Sequence, residues 1–173
     1  MSFINLNDQG TVYAPGYFLA HEECVRETRE MAQNSTLVQT AADGAKYIPM
    51  GTAYPTNDGN AIGIVYEDVD VTTGNMPGSV VTKGVVIEDR LAITGASYDA
   101  VTLKDLVSPK AQGWQERSGS SPNYVYTLST DTEGDKTKTY YEKSDVRLAS
   151  AAKSALEGLG FTFVTEPAVT RPY

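Results

Sequence analysis

The sequence predicts a mostly β, α+β fold: a small β-barrel or sandwich with one C-terminal helix and a hairpin-containing insertion. Three observations carry this reading. Fifteen glycines and eight prolines punctuate 173 residues, so regular runs are short and turns frequent. Across 51–92, β-branched residues come in brief alternating runs cut by turn residues. Only towards the C-terminus, over 144–160, do apolar residues recur clearly at the helical period. A hydrophobic fraction of 40% with 9% aromatics belongs to a folded chain, and the length suffices for one well-buried core.

Residues 1–20 begin as a polar arm and turn apolar from Val12 to Leu19. Ala14-Pro15-Gly16 interrupts any regular element there, because proline lacks the N–H and glycine frees the backbone. Such an arm is either a frayed end or a segment ordered on a partner. Residues 22–34 hold good helix formers, with Val25, Thr28, Met31 and Ala32 roughly on one face. They read as a short exposed helix or a turn-rich strand connection. Strands over 37–40 and 46–50 flank Ala42-Asp43-Gly44, a hairpin signal.

The turn cluster 54–60 leads into one strand over 61–71. Ile62, Ile64 and Tyr66 share a face, and Val65, Val69 and Val71 fall out of strict phase. A second turn, 73–78, precedes strands at 79–81 and 84–87, parted at Lys83-Gly84, where the glycine marks a bulge. Residues 98–107 read as a short helix ended by Pro109, and 110–122 as loop. Residues 124–128 and 137–141 form the arms of a hairpin with a polar tip at 130–135. In the helix 144–160, Ser144 is the N-cap, Asp145 suits the positive end, and Gly158 or Gly160 takes the C′ position. Leu148, Ala152, Ala155, Leu156 and Leu159 make its stripe. A strand over 161–165 and an extended tail, 166–173, complete the chain.

The formal charge is −8, from 22 acids and 14 bases. With no basic cluster to displace counterions from phosphates, direct nucleic-acid binding is not expected. No run nears the ~18 apolar residues of a membrane helix. The polar stretch Met1 to Thr11 lacks a secretory pattern, so synthesis in the cytoplasm is expected. Cys24 is the single cysteine, which leaves no intrachain disulfide. His21 and Cys24 are too few ligands for zinc, and nothing orients them as a nucleophilic pair.

Alternation sends Glu67 and Asp68 to opposite faces, against a calcium site shared with Asp70. The glycines match no phosphate-binding pattern, and Ser118, Ser120 and Ser121 lack the frame of a nucleophile elbow. The expectation is a chain that is not an enzyme, with no catalytic residue, metal or cofactor. Tyr98, Trp114, Tyr124, Tyr126, Tyr140 and Tyr141 crowd the region before the last helix. Hairpin stabilisation, protein contact and glycan stacking all remain open for them.

The ordered set Gly51-Thr52-Ala53-Tyr54-Pro55, Ala61-Ile62-Gly63-Ile64-Val65, Asp68-Val69-Asp70-Val71-Thr72, Gly84-Val85-Val86 and Arg90-Leu91 resembles the phage head decoration proteins, also called head fibre or auxiliary capsid proteins. A helix like 150–158 and a strand like Gly160-Phe161-Thr162-Phe163-Val164 follow in that family. The resemblance spans 37–94 and 144–164. It divides the chain into an arm (1–20), a β-rich decoration domain (21–94 and 144–165), an insertion (95–143) and a tail (166–173). The insertion separates blocks that lie close together in the family.

The resemblance implies a structural virion protein on the outer surface of a phage head, bound to the major capsid protein as a homotrimer and stabilising the shell. Three equivalent sites engaged together would give avidity. Ile4, Leu6, Val12, Tyr13, Tyr17 and Phe18 are then the residues expected to contact capsid or neighbouring subunits. Trp114, Tyr124 and Tyr126 are expected on an exposed insertion that points outward or bridges adjacent subunits. A tail or baseplate component, or an adhesion module for host-surface glycans, are the competing classes.

Overall fold

The computed structural model describes residues 13–103 and 107–166. Ile4, Leu6 and Val12, and the tail beyond Glu166, lie outside them. The described residues are mostly β, with thirteen strands and two short helices. The chain divides into two compact units: one takes the residues up to Thr94 and from Arg147 onward, the other Gly95–Val146.

In the first unit, β1 (Val25–Met31), β4 (Ala53–Tyr54), β5 (Gly63–Val65) and β7 (Met76–Lys83) form an antiparallel sheet in the order β1-β7-β5-β4. A second sheet orders β2 (Gln39–Thr40), β3 (Lys46–Ile48) and β6 (Val69–Asp70). A third pairs β8 (Val85–Ile87) in parallel with β13 (Thr162–Val164). These sheets stay open, so the barrel alternative is corrected.

Period-2 alternation explains the core. Ile64 and Val81 enter one cluster with Phe18, Val86, Leu91, Leu156 and Phe161. Their neighbours Val65 and Val80 enter another with Met31, Ile48, Val69 and Val71. The β5–β7 pair is thus a wall between two cores, apolar on both faces. This is why the apolar residues of this stretch run out of strict phase. Gly63 is required here: a Cβ would stand 2.4 Å from both Val80 Cγ1 and the Val81 carbonyl oxygen.

Several expectations need correction. Of the two alternatives for residues 22–34 the helix falls: Val25–Met31 pairs along its length with β7, and that long-range pairing overrides the thin helical stripe. The run 61–71 breaks into β5 and β6. At the break, Tyr66 N–H donates to Ser79 O, and Asp68 Oδ1 accepts from Met50 N–H (2.7 Å). The turn 73–78 ends early because β7 already starts at Met76.

The C-terminal helix, α2 (Ser150–Gly158), starts at Ser150, without a side-chain cap. Ser144 and Asp145 are strand residues instead. Ala152 and Leu156 carry its buried stripe, while Leu159 is 51% exposed. Its end is a Schellman turn: Gly160 (φ +105°) donates to Glu157 O, and Phe161 N–H donates to Leu156 O. Glycine at C′ removes the Cβ penalty of this conformation.

The second unit is one antiparallel sheet in the order β11-β10-β12-β9. Its strands are β9 (Gly95–Val101), β10 (Gln115–Ser120), β11 (Asn123–Leu128) and β12 (Tyr140–Val146). A helix over 98–107 is therefore replaced by strand up to Val101, which pairs along its length with β12. Pro109 begins α1 (Pro109–Gln112) instead of ending a helix; Ser108 Oγ accepts from Ala111 N–H, and proline suits the first helical turn. The expected loop 110–122 holds α1 and β10. The arms 124–128 and 137–141 do not pair with each other, because β10 lies between β11 and β12.

Candidate functional site

The strand registers define one face of the second unit. Arg117 lies opposite Tyr126 and Gln115 opposite both Leu128 and Tyr141; Tyr98 lies opposite Lys143. With side chains alternating, Tyr98, Tyr124, Tyr126, Tyr141, Arg117 and Lys143 share this face. Tyr98 and Tyr126, from the two outer strands, stack at 3.7 Å and 2°. That contact requires the sheet to coil strongly, with this face concave. Tyr141 meets Tyr126 edge-on at 5.4 Å.

Arg117 is the centre of the arrangement. Its guanidinium lies 4.2 Å from the Tyr124 ring and 5.0 Å from that of Tyr141. The two aromatic rings hold the guanidinium by cation–π attraction and leave its N–H donors at the surface. Glu116, Arg117, Lys138, Thr139 and Tyr141 line a shallow cleft of about 290 Å³. It combines both signs of charge with a phenol and a hydroxyl, a set suited to polar recognition.

The opposite face is structural. Tyr140 is fully buried, and its ring lies 6.1 Å from that of Trp114. Its hydroxyl donates to Asp131 Oδ2 (2.7 Å) and accepts from Asp135 N–H (3.2 Å). Lys138 Nζ also donates to Asp131 Oδ2 (2.9 Å). The Lys138 bond, then that from Tyr140, holds the Asp131 carboxyl below the usual range. Burial, then the Asp131 carboxylate, raises the Tyr140 hydroxyl. Ser129 Oγ donates to Glu116 Oε1 (2.6 Å) and accepts from Asp131 N–H. The buried phenol and its network lock the loop 129–138 against β10 and β12.

Within the first unit, the points where the chain leaves at Thr94 and returns at Arg147 are stapled together. Thr94 Oγ1 donates to Arg147 O (3.0 Å). The Asn57 amide donates to Arg147 O and to Thr94 Oγ1 and accepts from Ala149 N–H. Arg147 Nη1 donates to Leu91 O (2.7 Å).

The residues singled out from the sequence now separate. Tyr124 is 39% exposed and Tyr126 half-buried; both belong to the concave face. Trp114 is half-buried beside Tyr140 on the other side, with its carbonyl bound by Ser129 N–H. It is a packing residue of this unit and not an exposed tip. Phe18 is corrected too: it is fully buried in the first unit's core and its carbonyl accepts from Ile87 N–H. An apolar ring gains more there than at a wet surface. Tyr17 is half-buried under the Arg90 guanidinium, and Tyr13 packs against it with the rings tilted by 30°, 44% exposed. His21 is exposed, and Cys24 packs against the core.

Asp68 and Asp70 spend their carboxylates on the N–H groups of Met50 and Thr72. Arg117 was missed because the stretch around it carries no strand pattern. The signal available was Ser121-Pro122, a turn dipeptide joining β10 to β11. Comparison with known proteins finds no similar family model, curated protein or solved structure.

Proposed function

We propose that this chain is a structural protein of a phage head, bound to the outer surface of the shell, with the second unit as its recognition module. The observation that carries the reading is a complete sheet, inserted at one hydrogen-bonded neck, whose concave face is tyrosine and arginine. Sequence inserted between elements of a stable body is where binding commonly resides. Tyrosine and arginine are the side chains enriched at protein-contact hot spots, since each offers large area with few rotors to freeze.

In this reading the first unit supplies the surface that meets the major capsid protein, with Tyr13 at its exposed margin and the half-buried Tyr17 beneath it. A homotrimeric arrangement on the shell follows from the resemblance of residues 37–94 and 144–164 to decoration proteins. The test is cryo-EM of intact particles with mass spectrometry of separated heads and tails. Density for the chain outside the shell, with heads enriched, is expected; recovery only in tails or baseplates refutes it. A glycan array with Arg117→Ala as control separates a protein partner from a host glycan.

A further inference from the structure

We infer that β1 is a self-complementary edge through which two copies of this chain pair antiparallel, joining their sheets into one. Among the described residues β1 ends its sheet, bonded to β7 alone, and six consecutive residues from Val25 are exposed. Tyr66 N–H donates to Ser79 O, which turns the backbone groups of Ser79 toward β5. Ser79 lies opposite Thr28, so Thr28 sends its own N–H and C=O to the open edge. Alternation sends those of Arg26 and Glu30 the same way. Of these groups, the Glu30 carbonyl already accepts from Tyr54 Oη (3.0 Å), and a carbonyl has a second lone pair.

The side chains select one register. The run is Arg26-Glu27-Thr28-Arg29-Glu30. A two-fold axis at Thr28 sets Thr28 against Thr28, Glu27 against Arg29 and Arg26 against Glu30 of the second copy. Every charged position then meets its opposite, and the outward backbone groups of Arg26, Thr28 and Glu30 face each other as hydrogen-bonded pairs. Centring on residue 27 opposes Glu27 to Glu27, and centring on 29 opposes Arg29 to Arg29. Shifts between these centres face outward backbone groups with inward ones.

Charges on an edge strand ordinarily discourage pairing; in this order they permit a single arrangement. On one face the intrachain Glu27–Arg29 pair becomes a square of alternating charges. On the other, Arg26 is steadied over the Tyr66 ring at 4.2 Å, and Glu30 Oε1 accepts from Asn75 Nδ2. Such an isologous contact closes with two copies. On a shell it would link neighbouring assemblies across local two-folds and leave any three-fold contact to other surfaces.

The contact is small, so the full-length chain is measured by sedimentation equilibrium up to ~1 mM, the range weak interfaces reach. The wild type is expected to form a dimer that weakens with added salt. Arg29→Glu opposes like charges twice and is expected to raise the dimer Kd roughly tenfold or more. The double exchange Glu27→Arg with Arg29→Glu restores opposite pairs and is expected to recover wild-type association. Thr28→Pro removes an N–H that the β7 ladder does not use, and abolishes the dimer while circular dichroism stays native. A wild type that is monomeric throughout overturns the inference. So does a two-fold step of association, from monomer to dimer or from trimer to hexamer, that Thr28→Pro and Arg29→Glu leave unchanged; loss of that step with a persisting trimer supports the inference.

Discussion

Replacing Phe18 by alanine tests whether the segment before β1 is part of the fold or a free contact arm. Phe18 has no exposed surface and lies in the cluster of Ile64, Val81, Val86, Leu91 and Leu156. Its carbonyl binds Ile87 N–H at 2.7 Å, Ala20 N–H binds Val85 O at 2.9 Å, and Leu19 bridges to Val86. The substitution leaves those backbone bonds in place and removes the ring. Truncating a fully buried phenylalanine costs about 3–5 kcal/mol, the transfer of the ring plus the cavity it leaves. Against a typical total of about 5–15 kcal/mol, that is a large fraction of the stability available. Urea unfolding followed by far-UV circular dichroism measures the loss. Exchange of the Ile87 amide, if it opens with the unit, should accelerate by roughly two to four orders of magnitude. Tyr13→Ala, at an exposed ring, should cost less than about 1 kcal/mol. A cost for Phe18→Ala below about 1 kcal/mol, or equal to that of Tyr13→Ala, would refute the placement of this segment in the core.

Gly63→Ala drives a methyl into Val80 and the Val81 carbonyl and should cost about 1–3 kcal/mol in urea unfolding, since backbone cannot yield as a side-chain tip does. Asp131 is held below its ordinary pKa by Lys138 and Tyr140, so its contribution is present above the unfolded value near ~4 and is lost as pH falls through the depressed one. Emission of Trp114, the chain's single tryptophan, should therefore report acid destabilisation of the second unit below about pH 4, and Asp131→Asn should flatten that dependence. Arg117→Lys keeps the charge but loses the guanidinium held over Tyr124 and Tyr141. It should leave thermal stability within about 1 kcal/mol of wild type while weakening partner binding measured on intact particles.

Much of the local structure was legible because its cause is local. The Asp43-Gly44 turn joins β2 to β3, where Asp43 Oδ1 accepts from Ala45 N–H. Gly160 ends α2 because a left-handed residue is needed at that step. The aromatic concentration over 98–141 was visible as composition, but not its division into two faces. Tyr140 and Tyr141 are neighbours in sequence, yet one is the buried anchor of a carboxylate network and the other lines the concave face. Only the partner strands make that distinction. Residues 98–107 show the opposite failure: apolar spacing compatible with a helix was overridden by pairing with β12, which lies about forty residues later.

By itself the sequence determined a mostly β chain, its principal turns, the short C-terminal helix with its glycine stop, and its net negative charge. These follow from backbone freedom, side-chain branching and charge, properties each residue carries into any context. The tertiary structure decided which strands are neighbours: β10 between β11 and β12, β5 and β7 as a wall between two cores, β1 as an open edge. Strand pairing joins residues far apart in the chain through backbone groups common to every residue. Its specificity therefore comes from burial and register, and these exist only once the whole chain has folded.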